Sequence, residues 1–170
     1  MIQALMNWQI DKQERELGVP LDDGRWLASV SWSAAWRLAR FSKIMQSGHG
    51  FGHARHIAGL VGAMADDCGS CVQIGVNISR KAGVPREQLS AVVERRPEDL
   101  PEDLAAVYRF AEAVTLNSDE QDELRETVRK FYGDRGLVEI CMAVAMHRVF
   151  PTLKRGLGFA KSCSRVVVAV

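Results

Sequence analysis

The chain has little charge of one sign: Lys and Arg total 22 against 21 Asp and Glu in 170 residues, a net charge of +1. With no bulk field to hold nucleic acid or an anionic membrane surface, neither is expected as a partner. Cysteine is scarce too, at four residues, which excludes a secreted disulfide scaffold and suits a reducing compartment, here expected to be the cytoplasm. No uninterrupted apolar run approaches the roughly 18 to 20 residues that span a bilayer. Asp11, Lys12, Glu14, Arg15 and Glu16 interrupt the apolar residues near the start, so no signal-peptide core is read there. No G-x-S-x-G elbow, Walker loop, dinucleotide fingerprint or H-E-x-x-H motif is found, and no cofactor or metal is expected.

What the chain does have is helical periodicity, with 47% hydrophobic and 25% charged residues. The expected fold class is all-α, a bundle of about seven to eight helices. A single domain is expected over 1–170, with a helical extension at 1–50 and a core at 53–158. Trp26, Val30, Ala34, Leu38, Phe41 and Met45 recur at three and four positions and predict one core-facing helix over 24–46. After Gly48, Gly50 and Gly52, a second helix is expected over about 53–65. A third carries Ile74, Ile78 and Ala82, with Gly83 placed for a left-handed cap. Pro85 and Pro101 each open a helix, and Ser118 with Gln121 reads as a capping box. Gly133 stops the helix that follows. Residues 137–150 are apolar on nearly every side and predict a buried helix, in which Cys141 is a small hydrophobe and His147 a satisfied interface residue. The segment 165–170 is β-prone and apolar, so it is expected to dock on the core or on another subunit.

Cys68-Gly69-Ser70-Cys71 carries the chemistry. Two thiols three positions apart can close a disulfide with each other and so carry electrons. Asp66 and Asp67 before them and the apolar run after them place Cys68 at a helix start and Cys71 one turn inside. The macrodipole favours a thiolate at Cys68, whereas the two aspartates oppose it. Half of a zinc site is the alternative, but Cys141 and Cys163, 22 apart, supply no second pair. Three of the four histidines, His49, His53 and His56, have metal-ligand spacing if helical, although the surrounding glycines argue that His49 lies in a loop. His56, twelve residues before Cys68 on the preceding helix, is the candidate proton shuttle for the thiols.

Over about 55–158 the chain resembles the carboxymuconolactone decarboxylase and alkylhydroperoxidase D-like superfamily. The resemblance rests on the helix leading into Cys68-x-x-Cys71, on Ala82-Gly83-Val84-Pro85, on the Leu104 to Val114 helix with its acidic-capped successor, and on Gly136-Leu137-Val138-Glu139-Ile140. It implies an all-helical protein assembled as a homo-oligomer, a trimer or hexamer. Its redox branch implies hydroperoxide reduction with a dithiol donor, with Cys71 the peroxidatic thiol and Cys68 the resolving one. Its decarboxylase branch implies a small-molecule enzyme that does not use the pair. The redox branch carries a histidine four residues after the second cysteine, where this chain has Gly75, and a glutamate twelve before the first, where it has His56. Thiol–disulfide exchange stays chemically open despite both departures. So does a non-catalytic, redox-responsive oligomer.

Overall fold

The computed structural model describes residues 2–46, 50–66, 68–160 and 166–168, which are all-helical with no strand. The helices are α1 (Ile2–Leu17), α2 (Asp22–Val30), α3 (Trp32–Gln46), α4 (Gly52–Met64), α5 (Gly69–Lys81), α6 (Arg86–Val93), α7 (Glu102–Leu116), α8 (Gln121–His147) and α9 (Val149–Gly156). A single 3-10 turn, Pro97–Asp99, lies between α6 and α7.

α4 is the hub. Ala54 and every residue from Ile57 to Ala63 are buried, as expected for a helix that is apolar all round. It packs against α5, α6, α7 and α8. Two glycines let α8 come close. A Cβ on Gly62 would lie 2.6 Å from the Val144 carbonyl oxygen, and one on Gly59 would lie 2.6 Å from the His147 ring. Leu89, Val92, Val107, Tyr108, Phe110, Val128 and Ile140 close the core around this axis.

Local rules decide most of the helix ends. Gly83 has φ +89° and ends α5; the Val84 N–H donates to the Ser79 carbonyl and the Gly83 N–H to that of Arg80. Pro85 and Pro101 are the residues immediately before α6 and α7. At Gly133, φ 66° and ψ 179° break α8 into two segments. The capping box is not formed: Ser118 Oγ accepts from the Glu120 N–H at 3.3 Å, and the helix begins only at Gln121.

The helix expected over 24–46 is two helices. Ser31, in extended conformation, ends α2 through its N–H to the Leu27 carbonyl, and its Oγ accepts from the Ala34 N–H at 3.4 Å to cap α3. That break turns Trp26 and Val30 outward, so both are exposed and only Met45 of the stripe is fully buried. Trp8, Trp32 and Trp36 are exposed as well.

The expectation of a buried helix at 137–150 holds on one face only. Leu137, Ile140, Ala143 and Val144 are buried, while Val138, Met142 and Val149 are exposed. Cys141 is an exposed free thiol rather than a core hydrophobe. Taken together α8 and α9, Gln121–Gly156, are long enough to cross a membrane, and one window reaches a mean hydropathy of 1.3. Within the tail, residues 166–168 dock on α5: the Val167 N–H donates to Gln73 Oε1 at 2.7 Å and Gln73 Nε2 donates back to the Val167 carbonyl at 2.9 Å.

Candidate functional site: a buried dithiol under three cations

Cys68 is the N-cap of α5, with φ −104° and ψ 87°, and its carbonyl accepts the Val72 N–H. Cys71 follows inside the first turn. The two cysteines are disulfide-bonded, with Cα atoms 5.3 Å apart, within the range that the bond requires. The pair is buried unequally, Cys68 being 1% exposed and Cys71 8%. Cys71 is therefore the less buried residue of the two, and Cys68 the one nearer to the positive end of the helix.

α4 runs antiparallel to α5, and two contacts give the register. His56 Nδ1 lies 3.1 Å from Ser79 Oγ, and Leu60 Cδ2 lies 2.8 Å from where a Cβ on Gly75 would stand. Position 56 thus faces 79, and 60 faces 75, which leaves Cys71 opposite the last turn of α4. Ser79 is eight residues beyond Cys71, about 12 Å of helix rise. His56 is held at the far end of α5 and is not brought to the thiols. Burial, with Arg55 adding to it, pushes the His56 imidazole down to about 4. His147 is also lowered by burial; its Nδ1 lies 2.8 Å from the Ala143 carbonyl, a satisfied interface histidine in the α4–α8 contact. His49 and Cys163 lie outside the described residues, as does Asp67. Among the described residues no three His, Cys, Asp or Glu side chains are grouped to hold a metal ion.

What does surround the thiols comes from the far end of the chain. Ser70, between the cysteines, places Oγ 3.6 Å from Cys68 Sγ. Lys154 of α9, 5% exposed, donates from Nζ to the same Ser70 Oγ at 3.4 Å. The ammonium is paired with Asp23 of α2 at 3.2 Å. Beside it, the Asp66 carboxylate faces Arg155 at 3.2 Å and Arg148 at 3.6 Å, and the Arg155 guanidinium also donates to the Asp66 carbonyl. Among the described residues, three cations therefore meet two carboxylates in the ion pairs before and beside the start of α5. The Asp66 carboxylate is paired with two arginines.

Gln73, two residues after Cys71, clasps Val167 and donates to Asn77 Oδ1. Sequence reasoning missed Lys154 and Ser70. The signal that the sequence offers for them is the grouping of Arg148, Lys154 and Arg155 around the closing helix. In comparisons with known proteins, the chain matches no family model, no curated protein and no solved structure.

Proposed function

We propose that this protein is a CxxC dithiol oxidoreductase of the cytoplasm, cycling Cys71 and Cys68 between dithiol and disulfide. The observation that carries the reading is the closed Cys68–Cys71 pair at the start of α5, where the helix N-terminus and the Lys154 ammonium, reaching Cys68 through Ser70 Oγ, favour a thiolate. In the oxidising half, the Cys71 thiolate attacks a hydroperoxide. The O–O bond breaks, an alcohol leaves and Cys71 becomes a sulfenic acid, with which Cys68 condenses to release water and close the disulfide. In the resetting half, a dithiol donor is oxidised to its own disulfide and returns two electrons and two protons to the pair. A disulfide substrate in place of the peroxide needs only the exchange steps.

Exchange is favoured over the family's peroxidase relay by Leu60, which fills the space beside Gly75 where that relay's imidazole would stand. The resemblance to the alkylhydroperoxidase D-like superfamily supports the order of the thiols, and the greater exposure of Cys71 agrees with it. The exposed apolar residues of α8 and of the first three helices support assembly as a homo-oligomer, a trimer or hexamer in the resembling family.

Hydroperoxide added to the reduced chain should give an intramolecular Cys68–Cys71 disulfide by mass spectrometry, and Cys71→Ser should abolish peroxide or disulfide consumption. If Cys71→Ser consumes substrate at the wild-type rate, the reading is wrong. Activity that survives loss of both thiols would point to the decarboxylase branch. The near-complete burial of both cysteines favours a second reading, a redox-responsive oligomer, which predicts a disulfide that forms but no turnover with any dithiol.

A further inference from the structure

Lys154 is an ammonium taken almost wholly out of water, and such a group is costly to bury unless it is paired and hydrogen-bonded. Its partners are Asp23 and the Ser70 hydroxyl, and the hydroxyl in turn touches one sulfur only, that of Cys68. An ion pair with Asp23 by itself would not require Lys154 to reach the Ser70 hydroxyl. Resting on the dithiol reading above, we propose that Lys154, acting through the Ser70 hydroxyl, holds Cys68 as the thiolate that leaves when the disulfide is opened.

The step balances as follows. The thiolate of a dithiol donor attacks Sγ of Cys71, the less buried residue of the pair, and forms a mixed disulfide there. The Cys68–Cys71 bond breaks and its electron pair stays on Cys68 Sγ. The Ser70 O–H turns toward the new thiolate, and the Lys154 ammonium donates to Ser70 Oγ. The donor's second thiol then releases Cys71. Exchange is faster when the departing thiol is the more acidic one, so stabilising Cys68 speeds the opening of the bond. It also keeps Cys68 ready to condense with an oxidised Cys71. The helix dipole and the cations thus serve the departing sulfur, while Cys71 meets substrate. Among the described residues, the other charged groups in these ion pairs are Asp23 from α2, Asp66 after α4, and Arg148 and Arg155 at either end of α9. Ser70 touches the reacting sulfur; Lys154 is a positioning residue.

The test is alkylation of the fully reduced chain at a series of pH values, read cysteine by cysteine by peptide mass spectrometry so that Cys141 does not interfere. The variants are Ser70→Ala, Asp23→Asn with Lys154→Met, which leaves no orphan charge, and Lys154→Arg. The double variant should raise the Cys68 midpoint by about one pH unit, and Ser70→Ala by roughly half of that, with Cys71 unmoved. Opening of the disulfide by dithiothreitol should slow about threefold in the double variant, and Lys154→Arg should recover most of both effects. A Cys68 midpoint that shifts no more than that of Cys71 overturns the proposal. If the double variant does not fold, Ser70→Ala decides alone. Failure of the enzyme reading is separate: a wild-type chain that shows the Cys68 effect but no turnover loses its activity, not this relay.

Discussion

Leu60 and Gly75 share one space, and only one of them can have a side chain there. Leu60 is fully buried, so a Cβ at 2.8 Å from its Cδ2 must push a packed core residue aside. Gly75→His therefore does not restore the family's relay. It should lower the stability measured by urea unfolding by about 2 kcal/mol or more, with Leu60→Ala in the same chain recovering part of the loss. Wild-type stability in the single variant would mean that the two helices can separate freely. His56 poses a different question at the same scale. Its imidazole is depressed from 6.5 to about 4, so between those values the unfolded chain binds more protons than the folded one. Stability is then fully present above about pH 6.5 and falls as pH drops toward 4, and His147, also depressed, acts in the same direction. Allowing for its partial exposure, His56 should contribute roughly 1–2 kcal/mol of this loss. Urea midpoints compared at about pH 7 and pH 5 should fall in wild type and fall less in His56→Gln; equal slopes in the two would remove His56 as the cause.

At the scale of helices, the contact between α4 and α8 is set by glycine. The neighbour that a Cβ on Gly62 would meet is a backbone carbonyl, which cannot rotate away as a side chain can. Gly62→Ala should cost about 2–3 kcal/mol in spite of the better helix propensity of alanine, and a melting temperature at or above wild type would contradict the close packing. This contact also marks what a sequence can and cannot disclose. The dithiol at a helix start, the left-handed stop at Gly83 and the helix starts after Pro85 and Pro101 are legible because residues a few positions apart decide them. The break at Ser31 was open to the same logic, since a serine three residues before Ala34 is an N-cap signal, but the continuous apolar stripe overrode it. The companions of the thiols are of another kind. Lys154 lies 84 residues from Ser70 and Arg155 lies 89 from Asp66; no local pattern announces such meetings. His56, close to Cys68 in sequence, is far from it because an antiparallel pair of helices separates residues in proportion to their distance from the turn.

For the molecule as a whole, the exposed apolar residues are concentrated in α1 to α3, which hold all four tryptophans, and along the outer face of α8 at Val138 and Met142. Assembly that covers the α8 face would account for an apolar helix that the single chain leaves half open. Light scattering on the purified chain should give the mass of an oligomer, and Val138→Glu with Met142→Glu should shift it toward the monomer while the helical circular dichroism stays unchanged. A wild-type monomer at micromolar concentration would defeat this reading, and partition of the wild-type chain into lipid vesicles would assign the face to a membrane instead.

The disulfide itself closes a loop of the smallest useful size, its cysteines only three positions apart. A crosslink stabilises a fold chiefly by restricting the unfolded chain, and a short loop restricts it least. The architecture is held by α4 and its neighbours and has little need of this bond as a staple. Oxidised and reduced chains can therefore share one shape and differ mainly at the two sulfurs. In the proposed cycle, two electrons and two protons pass between the two states, with no refolding required to accept or release them.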